Sequence, residues 1–350
     1  MKAWLEKRYY LTRVMKRLQL EDLSKQLGYS KTLISMVLNG KGNQYGISKK
    51  TQATVLDAVA QLDYTPNKFA KALRTGKSYF VGLIVTDIAN PFYSTIAKNI
   101  ENVLFENGYN LMVCSTDENE EKEKRLVEMM LNQQGVDGLI IASTFKNSSF
   151  YEQARFSKTP IVFIDRVIPL FNTNYVVIDN YGGSIEVVNH LIAEGCKKIA
   201  CFCITPLHLS TVEDRVNGYR QALQKGGLKE EPSYIKSINF DHIDQDVERS
   251  LKELTQKTAA LDAIFVLNNH IAVALLKVLK KKEFSTLATR LKIACFDDIE
   301  LFNIIDKRVI SVSQPVQEIG KNSSLLLLSI ISGKQNTKSN VVLSTKMIDR

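Results

Sequence analysis

The stretch Leu20–Gly40, LEDLSKQLGYSKTLISMVLNG, carries two short helical patterns with a glycine turn between them. Leucines at helical spacing run up to Gly28, so the first helix is predicted to end there. Ser30 is placed to cap a second helix over Lys31–Leu38, which Asn39-Gly40 would end. Two short helices joined by so tight a link are typical of a helix-turn-helix, whose second helix enters the major groove of DNA. A structural bundle of short helices is the alternative that the pattern alone leaves open.

The positive charge of the chain is concentrated at its amino-terminal end. The first 77 residues hold fifteen Lys or Arg and five acids, a balance of +10, whereas the other 273 residues carry −1. A compact basic head favours a polyanion as its partner. A membrane surface would need a long amphipathic helix, but this segment predicts several short capped helices, the third beginning after Ser48. The charge distribution therefore indicates nucleic acid.

Composition and motifs exclude several other classes of protein. The longest apolar run, Leu325–Leu328 with Ser329-Ile330-Ile331, is well short of the about 20 residues of a bilayer span, so no membrane partner is expected. Charged residues interrupt the first eight positions, so the apolar core of a signal peptide is not expected there. The five cysteines do not have the spacing of a metal site or the pattern of a disulfide framework, which favours a reducing cytoplasm. Four histidines without metal spacing, no nucleophile elbow and no Walker loop argue against an enzyme, a metal or a cofactor.

From Tyr79 onward the sequence alternates between apolar strand patterns and helical patterns. Strands are predicted over Phe80–Val85, Asn110–Ser115, Gly138–Ala142, Ile161–Ile164, Tyr175–Ile178, Ile199–Ile204, Ala263–Leu267 and Lys292–Phe296. Helices are predicted over Tyr93–Asn107, Glu120–Gln133, Ser184–Glu194 and His270–Lys281. This alternation indicates parallel sheets covered on both faces, whose ligands lie at the carboxyl ends of the strands.

Polar and aromatic residues follow those strand ends and are candidates for a binding site. They are Asn90, Phe92, Asp165, Arg215, Asn268 and Asp297. Each one alone has another explanation as a helix cap, a turn, a core side chain or a surface ion pair. Their common location at strand ends is the argument for one shared site.

Several motifs together resemble the lactose-repressor (LacI/GalR-type) family of bacterial transcription regulators. They are Leu23–Gly40, Tyr64–Gly76, Val81–Val85 and Ser313-Gln314-Pro315. The resemblance covers nearly the whole chain from about residue 19. It implies a small all-α helix-turn-helix head and an α/β two-lobed body with parallel sheets, of the periplasmic-binding-protein type.

The resemblance also implies a domain order. We expect an extension over 1–18, a helix-turn-helix domain over 19–65, a hinge helix and linker over 66–79, and an effector-binding and dimerisation domain over 80–350. Within that domain, lobe 1 is expected over about 80–179 and 312–335, and lobe 2 over about 180–311 and 336–350.

The resemblance further implies which residues contact DNA. They are Ser30, Lys31, Thr32, Ser35, Met36 and Asn39 in the head, and Lys68, Lys71, Leu73 and Arg74 in the hinge. Lysine can donate to guanine and threonine can pair with either kind of base, whereas Met36, where the family usually has arginine, offers only an apolar contact. The implied role of Leu73 is a wedge in the minor groove, and a flexible basic linker is the alternative for the hinge. The Gly40–Gly46 loop is longer than usual and is expected beside the DNA backbone.

Carried onto this chain, the family pattern places a small effector, a sugar or sugar derivative, between the lobes. Asn90, Phe92 and Asp165 would line lobe 1, and Arg215, Asn268 and Asp297 lobe 2. Asn269 stands where the family more usually has Asp. The implied function is a sequence-specific, homodimeric transcription regulator, a repressor, acting on double-stranded operator DNA. A nucleobase or a protein co-effector is the alternative effector, and a transport binding protein would need an export signal and lack the basic head.

Overall fold

The computed structural model describes residues 18–62, 64, 76–156, 158–257, 261–305, 308–334 and 339–350 of the chain. The chain divides into two units, Met1–Ser78 and Tyr79–Arg350. The extension over 1–18, apart from Leu18, lies outside the described residues. So do the four implied hinge contacts, Lys68, Lys71, Leu73 and Arg74.

Three described helices pack around one small core in the amino-terminal unit. They are α1 (Leu20–Leu27), α2 (Lys31–Leu38) and α3 (Lys49–Gln61). Each helix contributes a side chain with no exposed surface, Leu23, Ile34 and Val55 in turn. These three contacts fix the helices against one another by removing apolar surface from water.

The turn between α1 and α2 forms as the sequence predicts. Gly28 has a φ of 68°, a left-handed conformation that glycine adopts without a steric penalty. Ser30 Oγ accepts a hydrogen bond from the Leu33 N–H at 3.2 Å, which satisfies one of the free donors of the first turn of α2. The predicted end of the first helix and start of the second are therefore confirmed.

The Gly40–Gly46 loop is folded against α3 through one glutamine. Gln52 Nε2 donates to Ile47 O at 2.7 Å and to Asn43 Oδ1 at 3.1 Å. Gly42 lies so close that a Cβ there would be 2.4 Å from Gln52 Cδ. A side chain at position 42 would therefore displace the Gln52 amide group from its two hydrogen bonds to the loop.

Two sheets of six strands each, counted over the described residues, form the second unit. The strands are β1 (Phe80–Val85), β2 (Asn110–Ser115), β3 (Gly138–Ile141), β4 (Ile161–Ile164), β5 (Asn174–Ile178), β6 (Ile199–Ile204), β7 (Ile235–Ile238), β8 (Ala263–Val266), β9 (Lys292–Phe296), β10 (Val309–Ser313), β11 (Asn340–Leu343) and β12 (Lys346–Ile348). The order β11-β5-β4-β3-β1-β2 makes lobe 1, and β12-β10-β9-β8-β6-β7 makes lobe 2. The described pairings are parallel except that of β10 with β12. The predicted two-lobed α/β body with parallel sheets is confirmed.

Helices follow most of the strands and cover both sheets. They are α4 (Pro91–Glu106), α5 (Glu120–Glu128), α6 (Asn180–Ala193), α7 (Ser210–Lys225), α8 (Ile243–Lys257), α9 (Asn269–Leu279), α10 (Ser285–Arg290) and α11 (Val316–Ile331). A π-helical turn over Met129–Gln133 continues α5, and short 3₁₀ helices occupy Ala154–Phe156, Pro232–Tyr234, Phe240–His242, Lys282–Phe284 and Glu300–Asn303. Because helices cover both faces, all six residues of β6 are buried, which explains its continuous apolar sequence.

The expected lobe boundaries need one correction at the carboxyl-terminal end. The chain crosses between the lobes after β5, after β10 and again after β11. Strand β11 pairs in parallel with β5, so 340–343 belongs to lobe 1, and the expectation that all of 336–350 lies in lobe 2 is wrong. The physical reason is that β11 covers the otherwise unpaired edge of β5 before the chain returns to lobe 2. Strand β10 also stays in lobe 2 through Ser313, past the expected limit at 311.

Candidate effector cleft and nucleic-acid interface

One cavity between the lobes brings together all the side chains predicted to bind a ligand. It is lined, among other residues, by Asn90, Phe92, Asp165, Arg215, Asn268 and Asp297. Asp165 and Asp297 directly follow β4 and β9, Asn90 and Asn268 directly precede helices, Phe92 lies in the first turn of α4, and Arg215 lies in the second turn of α7. The residues converge because both sheets direct the carboxyl ends of their parallel strands toward this cleft.

The lobe 1 wall is built around a buried arginine between two carboxylates. Arg166 NH1 and NH2 donate to Glu118 Oε2 and Oε1, both at 2.7 Å. Arg166 Nε lies 3.4 Å from Asp165 Oδ2, and the Tyr93 hydroxyl donates to the same oxygen at 2.7 Å. Burial and the Asp165 charge raise the pKa of Tyr93 well above its usual value, so the phenol stays protonated and remains a donor.

The lobe 2 wall holds its arginine by uncharged groups. Arg215 Nε donates to Asn180 Oδ1 at 2.8 Å and NH1 donates to Leu267 O at 2.6 Å. The guanidinium lies 3.8 Å above the centre of the Phe296 ring. These contacts fix the orientation of the arginine, which lines the cavity.

Asp297 is the carboxylate of the lobe 2 wall. It accepts hydrogen bonds from Gln314 Nε2 at 2.5 Å and from the Asn269 N–H at 3.1 Å. Burial raises the pKa of Asp297 to about 6, although the Arg215 charge and these two hydrogen bonds act in the opposite direction. The carboxylate is therefore mostly ionised at pH 7 and becomes protonated in mildly acidic solution.

Two of the predicted residues also cap helices, as their alternative explanation requires. Asn90 Oδ1 accepts from the Phe92 N–H at 3.0 Å at the start of α4, and Asn268 Oδ1 accepts from the Ile271 N–H at 2.9 Å at the start of α9. Phe92 is partly buried against the main core. Capping and lining are compatible, because a capping side chain lies at the helix end that faces the cleft.

Backbone strain is concentrated in the cleft. Among the described residues other than glycine, six have a positive φ, and three of these, Glu118, Asp165 and Asp297, line the cavity at 56°, 64° and 91°. Such conformations cost free energy for a residue with a Cβ and occur mostly at functional sites. Neither Asp165 nor Asp297 is the N-cap residue of a helix, although Asp297 accepts the N–H of Asn269, the first residue of α9. The alternative explanation of these two residues as N-cap residues is therefore wrong.

Hydrogen bonds between two pairs of described residues join the walls of the cleft. Asn269 Nδ2 of lobe 2 donates to Asn90 Oδ1 of lobe 1 at 2.9 Å. The Val167 N–H of lobe 1 donates to Ser210 Oγ of lobe 2 at 3.0 Å. The cavity between the walls measures about 60 Å³, room for a few water molecules rather than for a sugar.

Three residues with central positions in the cleft were not predicted from the sequence. Glu118 follows β2 and Arg166 follows β4, so the strand-end rule that located Asp165 also covers them. Gln314 follows β10, a strand that the sequence pattern did not predict.

In the head, one face of α2 is directed away from the core. Of the six head residues implied to contact DNA, Ser30, Lys31, Thr32 and Asn39 are exposed, and Ser35 and Met36 are half-buried. Lys31 Nζ lies 3.1 Å from Glu21 Oε2 of α1, and both side chains are more than half exposed. Asn39 Nδ2 donates to Ser35 O at 2.6 Å, which fixes the end of the helix.

The profile of the periplasmic binding proteins and sugar binding domain of the LacI family matches residues 78–349. The chain belongs to the LacI family. The HTH-type transcriptional regulator DegA of Bacillus subtilis (strain 168) is 31% identical over 332 residues, 94% of this chain and 96% of the relative. The ribose operon repressor of Halalkalibacterium halodurans is 30% identical over 331 residues, 95% and 96% of the two chains. This LacI-family chain is a ligand-controlled, DNA-binding transcription regulator and not an enzyme.

Among solved structures of LacI-family proteins, the lac repressor dimer bound to operator and the anti-inducer ONPF is similar to this chain. The TM-score is 0.82 over 96% of this chain and 98% of that chain, at 23% identity, and the likeness at this identity concerns the fold. No helix among the residues described for this LacI-family chain is long and apolar enough to cross a membrane.

Proposed function

We propose that this chain is a cytoplasmic, homodimeric repressor that binds a pseudo-palindromic operator through its head and responds to a small, sugar-like effector in the cleft. Effector binding changes the approach of the lobes and with it the spacing of the two hinges in the dimer. The observation that carries this proposal is the convergence of polar side chains from both lobes on one cavity.

The exposed face of α2 supports the DNA-binding part of the proposal. Lys31 offers a donor to guanine, Thr32 suits either kind of base, and Met36 offers an apolar contact to a thymine methyl group. Lys31 and Thr32 are exposed and Met36 is half-buried, whereas Ile34 and Val37 of the same helix are buried in the head core. A symmetric dimer presents two such helices to two half-sites of an operator.

The hinge part of the proposal concerns residues outside the described structure. A helix as short as the family pattern implies is marginal alone and would gain order on the operator. There, Leu73 would open a base step from the minor groove with Arg74 beside it, while Lys68 and Lys71 would contact phosphates.

The chemistry of the cleft supports a sugar-like effector. Asp297 and Asn268 offer oxygen acceptors, and Phe92 offers an apolar face for a sugar ring. Arg215 offers the donors of NH2, because Nε and NH1 already donate to Asn180 and Leu267. A relative named as a ribose operon repressor is consistent with this class of ligand.

The contacts between the lobes give an effector an equilibrium to shift. A sugar exceeds the cavity of about 60 Å³, so the lobes have to separate to admit it. Separation breaks the Asn269–Asn90 and Val167–Ser210 hydrogen bonds. A ligand that prefers one lobe arrangement then changes the affinity for the operator. The operator changes the affinity for the ligand by the same free energy.

The test combines operator selection with a ligand screen. An operator is selected from random duplexes, and sugars, nucleosides and their phosphates are screened by thermal shift, because a ligand of the folded state raises the melting point. A hit should change operator affinity in the wild type. The Arg215→Ala variant should bind operator normally without ligand but lose the ligand response. Arg220→Ala, an exposed arginine on the same helix, is the matched control.

Two outcomes would contradict the proposal. An Arg215→Ala variant that still responds at unchanged ligand affinity would show that the cleft is not the effector site. A complete absence of small-molecule hits, with operator binding intact, would favour a protein as the effector.

A further inference from the structure

We propose that Glu118 sets the chemical class of the effector: by occupying both outer nitrogens of Arg166 it leaves a net acidic cleft that admits uncharged polyhydroxyl compounds and rejects phosphorylated or carboxylated ones. This inference rests on the proposed function of the cleft as the effector site and specifies its ligand.

The charges that line the cleft do not balance. The described lining contains four carboxylates and two guanidinium groups, namely Asp87, Glu118, Asp165 and Asp297 against Arg166 and Arg215. Burial lowers the pKa of His270, against a smaller opposing effect of Asp87, so the imidazole adds no positive charge at pH 7. An anionic ligand therefore enters a cavity with an excess of negative charge, where the low dielectric strengthens repulsion.

The end-on pair of donors of the lobe 1 arginine, one N–H on each outer nitrogen, is already taken by a carboxylate. A phosphate or carboxylate binds arginine most strongly through two parallel hydrogen bonds to its outer nitrogens. In this cleft Glu118 already makes both of them, at 2.7 Å each, with the Arg166 and Glu118 side chains only 9% and 15% exposed. To use this pair, an anionic ligand would have to displace Glu118 and leave that carboxylate buried beside Asp165 without its partner. The remaining Nε donor lies 3.4 Å from Asp165 Oδ2, whose negative charge repels an anion.

Three buried atoms of the lining have no hydrogen-bond partner, and they differ in chemistry. Arg166 Nε is a donor, Gln314 Oε1 is an acceptor, and His270 Nε2 is either, depending on its tautomer. The Arg166 and Gln314 side chains belong to residues that are at least nine-tenths buried, so water does not readily satisfy them. A hydroxyl group both donates and accepts, whereas a phosphate dianion only accepts and leaves Gln314 Oε1 unsatisfied. The mixed set therefore favours a ligand with several hydroxyl groups.

The backbone that places Glu118 in the cleft has an unfavourable conformation. Asp117 and Glu118 have φ values of 53° and 56° directly before α5, a conformation that disfavours residues with a Cβ. Without a functional reason, glycine or asparagine would suit both positions better. The strain is accounted for if the position of the Glu118 carboxylate matters for the ligand.

The experiment measures a ratio of affinities in the full-length protein. Calorimetric titrations compare D-ribose, D-xylose, D-glucose and D-fructose with ribose 5-phosphate, glucose 6-phosphate, fructose 1-phosphate and gluconate. In the wild type at least one uncharged sugar should bind, and its phosphate ester should bind about 100-fold more weakly. Glu118→Gln removes the negative charge and releases Arg166, so that the ratio should fall by about tenfold or more.

The control makes the same chemical change outside the cleft. Glu121→Gln alters an exposed glutamate of α5 that pairs with Lys124, and it should leave the ratio unchanged. A phosphate ester or gluconate that binds wild type more tightly than every uncharged sugar overturns the inference while the proposed function stands. An unchanged ratio in Glu118→Gln overturns the role of Glu118. If no compound of either class binds, both the inference and the proposed effector site fail. The wild-type ratio decides the ligand class even if Glu118→Gln does not fold.

Discussion

Two ion pairs of the same kind lie in opposite surroundings in this molecule. Lys31 is 3.1 Å from Glu21 in the head, and their side chains are 55% and 52% exposed. Arg166 is 2.7 Å from Glu118 in the cleft, where the side chains are 9% and 15% exposed. Water screens the first pair, so its lysine can exchange the carboxylate for a DNA phosphate, whereas the second pair is expensive to break. The exposed lysine of the head is suited to bind an external anion, whereas the buried arginine of the cleft is suited to stay paired with Glu118.

The largest effect should come from breaking the buried pair. Arg166→Met leaves Glu118 and Asp165 without their cation, so the free energy of unfolding should fall by about 3 kcal/mol or more. Lys98→Met removes the cation of an exposed pair with Glu101 and should change it by less than about 1 kcal/mol. Urea unfolding of the full chain followed by circular dichroism measures both. Similar losses in the two variants would show that burial does not separate these pairs.

The next effect tests whether the exposed lysine of the head reads bases. Lys31→Ala and Thr32→Ala should each weaken binding to the selected operator by about 1–3 kcal/mol and binding to scrambled DNA only slightly. Lys50→Ala, an exposed lysine of α3, is the matched control and should not discriminate between the two DNAs. Fluorescence anisotropy with labelled duplexes measures the affinities of the wild type and the three variants for both DNAs. Equal losses of Lys31→Ala on both DNAs would mean that this lysine contacts phosphate alone.

The sequence predicted the cleft because one physical rule sufficed for it. Ligands of parallel sheets lie at the strand ends, and the strands of this chain are continuous apolar runs with clear limits. Asp165 and Asp297 could therefore be named before any contact was known. The same rule covers Glu118, but the sequence there, TDENE, offers three acids in four positions, and only the fold shows which of them meets Arg166.

The features that the sequence did not predict are those in which strands or side chains pair with distant parts of the chain. Strand β11 is short and half-exposed, so its sequence carries little periodic signal, and its place beside β5 depends on the second crossing between the lobes, which follows β10. Gln314 belongs to a motif of the family resemblance but was not assigned to the cleft, because the strand before it, β10, was not predicted. The partner of Asn269 across the cleft, Asn90, lies 179 positions away in the sequence. Contacts of this range follow from packing and not from local pattern.

The pH response should distinguish a buried carboxylate from an exposed one. Burial raises the pKa of Asp297 from 3.8 to about 6, whereas the Lys31 hydrogen bond lowers the pKa of Glu21. Because folded Asp297 binds its proton more tightly than the unfolded chain does, its contribution to stability falls as pH rises through this range and levels off above about pH 7. Between pH 5 and pH 7 the wild type should lose about 1 kcal/mol of unfolding free energy relative to Asp297→Asn.

Urea unfolding of the wild type and Asp297→Asn at several pH values measures this difference. Both variants carry the same other titrating groups, including Arg215 and Asp165 near this carboxylate, so the shared pH dependence cancels. Glu21→Gln is the exposed counterpart. Relative to this variant, the wild type should show no such loss of unfolding free energy as pH rises. A constant difference between wild type and Asp297→Asn over this range would mean that Asp297 titrates like a solvated carboxylate.

The smallest effect concerns the acid beside the reading helix. Glu21→Gln removes a negative charge 3.1 Å from Lys31 and frees the lysine for phosphate or base, so DNA affinity should rise by about threefold at low salt. The gain should shrink as salt is added, because screening weakens exposed charges. Asp57→Asn makes the same charge change on an exposed position of α3 and should give a smaller gain. Anisotropy titrations across a salt series measure this. Equal gains in the two variants would mean that only net charge matters, and that the Glu21–Lys31 pair does not restrain the lysine.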